Sequence, residues 1–297
     1  LKEYGDIFCM FPEARYTPDG TLCILPPSVG KLAKKNNVPV VVMLNHGNYL
    51  NLPFWTNFKF RKTPIRVEMK QILTADEVAE KSVDEINEII RKEMYYDDFK
   101  WQKDNNIRIK EKFRAEGLNK ILYQCPNCKT EHKMISKGIH LWCEECGKKW
   151  AMTELGEMKA LQGKTEFSHI PDWFQWEREN VRQQLLDGTY CYEEELQVLS
   201  TPGVNEYINL GTAKVTHDLQ NGFVIEGYYN GNNYRIHRPT KGIYALHVEY
   251  QFKHLKYSDC FEISTTKDSF YCMTKKKDII TKLSLATEEA FKIANEK

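Results

Sequence analysis

The sequence predicts an α/β region built on a parallel sheet, then a small cysteine ribbon, then a β-rich barrel closed by a C-terminal helix. Three observations predict it. Two continuous apolar runs near the start, "DIFCMF" and "VPVVVML", flank a short amphipathic stretch, the pattern of strands covered on both faces around a helix. Two Cys-x2-Cys pairs lie mid-chain with fourteen residues between them. Beyond residue 200, short alternating runs succeed one another, separated by turn residues such as "LQNG", "NGNN" and "PTKG".

Composition bounds the classes. With 297 residues, 41% apolar and 28% charged, the chain has the make-up of a soluble globular protein of two or three domains. A formal net charge of +1 argues against a nucleic-acid partner, which a basic surface would attract. No apolar run reaches the roughly 20 residues that span a bilayer, and no signal peptide is visible. The chain opens on Leu1 rather than Met, next to a strand-like run, so a fragment of a longer protein is expected. Of nine cysteines, Cys9, Cys23, Cys191, Cys260 and Cys272 are scattered through apolar or aromatic segments and are expected as buried reduced thiols in a cytosolic protein.

Residues 1–118 form the first zone. "DIFCMF" is the first expected strand. Pro26-Pro27-Ser28 opens the helix "VGKLAKKNN", with Val29, Leu32 and Ala33 on one side and lysines mostly on the other, and Asn36-Asn37 supplies a left-handed end. "VPVVVML" follows as a second strand with Pro39 at its start. Strand, helix, strand implies a parallel pair with a right-handed crossover. "IRVEMKQI" alternates like a strand nearer an edge. Thr74 with Glu77 and Ser82 with Glu85 are capping-box pairs, so helices begin after each. The second zone, residues 119–155, holds the cysteine pairs. The third, 156–199, is a helical linker whose body "DWFQWERENVRQQLL" starts behind Pro171 and stops at Asp187-Gly188. Its Trp173, Phe174 and Trp176 read as a core-facing stripe. The fourth zone, 200–297, carries seven or so strands, the last of them "DIITKLSL", and then the amphipathic helix "TEEAFKIANEK". This order resembles a pleckstrin-homology-like barrel in architecture.

Cys125, Cys128, Cys143 and Cys146 can surround one tetrahedral metal, and four thiolates favour zinc. Gly138 and Gly147 suit a zinc ribbon. Four cysteines leave no open coordination position, so the zinc is structural; so small a unit needs the metal for its folding energy. His132 and His140 are surplus to that ligand set.

Glu13 and Arg15, in "FPEARYTPDG", would stand at the carboxyl end of a strand, where α/β proteins bind ligands. Arg15 can meet a phosphate bidentately, or pair locally with Glu13 and staple the turn. The residues leave both alternatives open. The clusters "FKFRK" and Lys275-Lys276-Lys277 read as solvated faces.

"FPEARYTPDGT" followed by "GKLAKKNNVPVVVM" resembles the glycerolipid acyltransferase family, specifically the C-terminal half of the lysophosphatidate acyltransferase group, over roughly residues 1–73. That family's third motif block reads F-P-E-G-T-R-S, often trailed by D-G; Phe11, Pro12, Glu13, Asp19 and Gly20 match it. Gly30, Ala33, Val38 and Pro39 match the helix and the apolar strand of the fourth block. Ala14 stands at the family's glycine, and Tyr16 aligns with its arginine, Arg15 falling one place early. The cysteine insert and β-rich tail look like those of a bacterial branch.

The resemblance implies a partial acyltransferase domain in which Glu13 and Arg15 hold the acceptor's phosphate. The reaction it implies moves an acyl chain from acyl-CoA or acyl-carrier protein to the hydroxyl of a lysophosphatidate-like lipid, in phospholipid biosynthesis at the inner face of the cell membrane. The family's general base is the His of an H-x4-D motif upstream of the third block. That motif is missing here, so the chain alone is expected to be inactive. His254 and Asp259 have the spacing but read as coincidence, and His46, followed by Asn51 instead of Asp, reads as a loop histidine. The competing expectation is a non-enzymatic adaptor made of a zinc ribbon and a pleckstrin-homology-like module.

Overall fold

A computed structural model describes residues 5–56, 58–203, 206–252, 258–276 and 278–296. The first region holds α1 (Ser28–Asn36), β1 (Val40–His46), α2 (Asn48–Asn51), β2 (Arg66–Leu73), α3 (Ala75–Glu80), α4 (Val83–Met94) and α5 (Asp98–Asp104). Several ends follow from single residues. Asn37 closes α1 with φ of 48°, its N–H returning to the Ala33 carbonyl. Both capping boxes form: Thr74 and Ser82 accept from the N–H of Glu77 and Glu85, whose side chains reach back to the caps. A local core of Leu73, Val78, Ile86 and Ile90 seats α3 and α4 against the inner face of the β1–β2 ribbon.

That ribbon corrects the expected parallel sheet. β1 and β2 pair antiparallel, Met43 opposite Met69. Their connection, residues 47–65, contains only the four-residue α2, so no crossover helix carries the chain back for a parallel return. "DIFCMF" is not a strand: residues 6–11 are irregular, with Ile7 94% and Phe11 83% exposed. Apolar composition alone cannot make a strand without a neighbour to bond its backbone.

The middle of the chain is a four-stranded antiparallel sheet in the order β3 (Met134–Lys137), β4 (His140–Cys143), β5 (Lys149–Met152), β6 (Met158–Ala160). Helix α6 (Ile170–Leu186) follows, with Pro171 in its first turn and Gly188, φ 69°, just past its end. Then come β7 (Tyr192–Gly203), β8 (Glu206–Asp218), β9 (Gly222–Tyr229), β10 (Asn232–Arg238), β11 (His247–Phe252), β12 (Ser258–Ser264), β13 (Ser269–Met273) and α7 (Ile279–Asn295). These seven strands form one antiparallel sheet ordered β10-β9-β8-β7-β13-β12-β11: a meander of four sewn through its first strand to a meander of three. "DIITKLSL", expected as a strand, is instead the first half of α7. Ile279, Ile280, Leu283, Ala286 and Ala290 are all buried, a spacing that fits one helical face and not a strand.

One buried cluster runs from Leu50 and Trp55 through Ile109, Leu118, Trp150 and Trp173 to Phe261, Leu283 and Ala290. α6 lies at its centre. Trp173, Glu177 and Asn180, one face of the helix, take hold of Gln124, the residue before the first metal-type cysteine. The Trp173 indole donates to the Gln124 carbonyl (3.0 Å), the Gln124 N–H to Glu177 (2.8 Å), and Asn180 to the Gln124 side chain (2.8 Å). Burial pushes the Glu177 carboxyl well above its usual range.

The capping boxes give a direct check. Ser82→Ala removes an acceptor that α4 uses at its first turn and should lower stability by about 1 kcal/mol in urea unfolding; an unchanged midpoint would show that α4 does not need the cap.

Candidate functional site

Two places concentrate chemistry. At the first, two knuckles repeat one backbone design. Lys129 N–H returns to the Cys125 carbonyl (2.8 Å) and Gly147 N–H to the Cys143 carbonyl (2.9 Å). The returning residue has positive φ in both, 64° at Lys129 and 72° at Gly147. The four Sγ atoms lie within 4.8 Å of one another, with Cys125–Cys146 and Cys128–Cys143 each at 3.7 Å. Four thiolates about 2.3 Å from a tetrahedral ion stand about 3.8 Å apart, so the donor set fits a metal ion. Among the described residues this is the only cluster of its kind, and His132 and His140 are outside it.

The second place is where the N-terminal loop meets α6 and α7. Phe11-Pro12-Glu13-Ala14 is a turn closed by Ala14 N–H to the Phe11 carbonyl (3.1 Å). Ala14 has φ of 53°, a left-handed conformation that glycine adopts freely and alanine does not. The turn sends its side chains to separate partners. Glu13 accepts from the Cys23 N–H (2.7 Å) and the Tyr96 hydroxyl (3.4 Å); burial pushes its carboxyl upward, against those hydrogen bonds. Arg15 meets Glu288 of α7 at 2.5 Å. Glu13 and Arg15 therefore do not staple the turn to each other. Tyr16, in the next position, is 77% exposed. Asp19 is buried and holds the following turn through Thr17 and Thr21. Gly20 lets the chain pass the Tyr49 ring, which a Cβ would meet at 2.8 Å.

A cleft of about 280 Å³ opens beside Arg15, lined among others by Asp19, Cys23, Arg178, Arg182, Glu289 and Lys292. Behind Arg15, Pro18 and Phe174 lies a small apolar recess, about 20 Å³, walled by Phe54, Leu246, Val248 and Tyr250. The cleft's charges are ordered. Arg178 meets Glu288 at 2.5 Å and Glu289 at 3.0 Å, and Arg182 meets Glu289 at 3.2 Å. Burial would raise the Glu288 carboxyl; the Arg178 and Arg15 charges and their hydrogen bonds outweigh it and hold the group low.

The motif residues fall unevenly. Arg15 lines the cleft. His46 does not: it stacks on Trp101 at 5.5 Å, at the far end of β1. His254 and Lys277 lie outside the described residues. Trp173 and Phe174 are buried as expected for a core stripe. Sequence reasoning missed Arg178, Glu288 and Glu289. The available signal was an acidic pair, Glu288-Glu289, inside an otherwise apolar helix, opposite the arginines at 178 and 182.

No helix among the described residues is long and apolar enough to cross a membrane. Compared with protein-family models, curated proteins and solved structures, the chain matches none of them.

Two measurements test these sites. Purified chain should carry about one metal ion, lost in Cys143→Ser, and chelation should red-shift the fluorescence of the buried Trp150 and Trp173; a metal-free chain indifferent to chelators contradicts the knuckle assignment. For Glu288, a folded pKa below its unfolded value means stability fully present above the unfolded value of about 4.3 and lost as pH falls through the folded one. Glu288→Gln leaves the buried Arg15 without its carboxylate and Arg178 with Glu289 alone, and should cost about 3 kcal/mol or more at neutral pH, with a flatter acid limb than the parent. An equal cost at pH 7 and pH 3 would mean the charge is not what matters.

Proposed function

We propose that this chain carries the acceptor-binding part of a lysophosphatidate-type acyltransferase site, with Arg15 gripping the acceptor's phosphate. The observation that carries the reading is the Phe11–Arg15 turn. Where the family motif has glycine, Ala14 adopts the left-handed conformation that suits glycine. The same turn directs Arg15, not the aligned Tyr16, toward the cleft. The one-place offset of the arginine is thus absorbed by the backbone. A cleft lined by several cationic side chains also suits a phosphate head group.

In this reading an acceptor hydroxyl loses its proton to a histidine, attacks the thioester carbon of acyl-CoA or acyl-carrier protein, and the thiol departs. His46 stands apart from the cleft, and no histidine among the described residues lines it, so the cleft is read as the acceptor-binding part of the site without its proton acceptor. The metal of the four-cysteine ribbon is read as zinc with a structural role, on the strength of its all-thiolate ligands. The seven-stranded sheet and α7 are read as a pleckstrin-homology-like module; the four-plus-three strand order with a helix at the C-terminus supports that.

A second reading has an observation of its own. The Arg15–Glu288 pair fastens the N-terminal turn to α7, as a stapling contact in a non-enzymatic adaptor would.

The protein as its gene encodes it, given lysophosphatidate and acyl-CoA or acyl-carrier protein, should form phosphatidate. Arg15→Gln should lower kcat/KM at least tenfold, mainly through the KM for the acceptor, because a charge-assisted pair to phosphate is lost. Absence of transfer with either donor, or turnover indifferent to Arg15→Gln, would favour the adaptor.

A further inference from the structure

We infer that Arg178, on α6, is a second phosphate-gripping residue that acts beside Arg15, so that the recognition site is assembled from the N-terminal turn and the C-terminal half of the chain together. The inference rests on the acceptor-binding reading above and adds to it a residue outside the segment that resembles the acyltransferases.

The geometry begins with Glu288. Its two carboxylate oxygens are divided between the two arginines: Oε1 receives Arg15 Nη1 and Oε2 receives Arg178 Nη1, each at 2.5 Å. One carboxylate therefore holds two guanidinium groups side by side, both on the wall of the 280 Å³ cleft. The side chains of Arg15 and Arg178 are 10% and 17% exposed, so each is fixed in place by its surroundings.

The hydrogen-bond inventory then identifies the complement. Of the acids that line the cleft, Glu179 is exposed and accepts from Gln175, and the other three are held within it. Glu288 accepts from both arginines, Glu289 from Arg178, Arg182 and Lys292, and Asp19 from Thr17, Thr21 and the backbone. The donors are not exhausted. A guanidinium carries five N–H groups; Arg15 reaches Glu288 through Nη1, and its Nε is buried without a protein partner. A buried, unpartnered N–H of a charged group is costly. Arg178, already paired with Glu288 and Glu289, presents its guanidinium beside that of Arg15, and two guanidinium groups fixed side by side suit an anion with several acceptor oxygens on one centre, which a phosphate monoester provides. A carboxylate offers two such oxygens, and Glu288 already fills that role from behind.

The two arginines also have different origins. Arg15 comes from the turn that follows Phe11-Pro12. Arg178 comes from the helix that clamps Gln124, next to the first knuckle. The phosphate site therefore forms only when α6 and α7 are docked on the N-terminal loop.

The test is calorimetric titration of the metal-loaded 297-residue chain with three probes: inorganic phosphate, glycerol 3-phosphate and a hexanoyl lysophosphatidate. Lysophosphatidate should bind tightest. Arg178→Gln should weaken it at least tenfold, and Arg178→Lys, which keeps the charge and loses the fork, by a smaller factor with an unfolding midpoint close to the parent's. Binding that falls in Arg15→Gln and stays unchanged in both Arg178 variants overturns the inference while leaving the acceptor reading intact. A parent chain that binds none of the probes overturns both. Inorganic phosphate binding as tightly as the lipid, with the same Arg178 dependence, supports the second grip and counts against a lipid acceptor. Where substitution of Arg178 unfolds the chain, guanidinium signals of the isotope-labelled parent decide: two arginines shifting on saturation support the pair, and one alone overturns it.

Discussion

The carboxylate of Glu288 is the point on which this molecule turns. It is buried, and the charges of two arginines hold it ionised; among the described residues Arg15 has no other carboxylate partner, and Arg178 shares it with Glu289. Since Arg15 belongs to the N-terminal loop, Arg178 to α6 and Glu288 to α7, one group fixes the relation of three segments distant in sequence. A buried network of this kind contributes little net stability compared with apolar packing, but it specifies one arrangement. Here the arrangement is a cleft lined by Arg15, Arg178 and Glu288 together.

α6 links that cleft to the metal ribbon. Glu177 accepts the backbone N–H of Gln124, and the adjacent Arg178 reaches Glu288. The ribbon's knuckle and the cleft are thus read by neighbouring residues on two faces of one helix. Lys282 of α7 adds a further tie, pairing with Glu131 of the ribbon at 2.6 Å. A metal that fixes the knuckle therefore also fixes the helix that carries half of the cleft's positive charge. This gives the four cysteines a consequence for function without any chemistry at the metal.

Local rules in the sequence translated faithfully. Asn37 ended α1, Ser82 and Thr74 opened helices, Pro171 and Gly188 bounded α6, and the Cys-x2-Cys spacing placed four sulfurs together. Each of these is decided within a few residues. The failures all required a distant partner. "DIFCMF" looked like a buried strand because its composition is apolar, but a strand exists only where another backbone pairs with it. The expected parallel pair failed for the same reason: its first strand was to be "DIFCMF", and without it β1 pairs antiparallel with β2. "DIITKLSL" alternates weakly enough to suit either period, and its burial under the seven-stranded sheet chose the helix. Of the two site residues expected from the turn, Arg15 lines the candidate cleft and Glu13 does not, being taken up by Cys23 and Tyr96. Arg178 and Glu288 are ordinary charged helix residues until α6 and α7 are laid side by side.

The most direct test is a crystal structure of the metal-loaded chain with a short-chain lysophosphatidate. The phosphate should lie in the cleft between the N-terminal loop, α6 and α7, against the guanidinium groups of Arg15 and Arg178, with Glu288 still paired to both. A phosphate bound elsewhere, or a cleft left empty with Arg15 turned to Glu288 alone, would contradict the account.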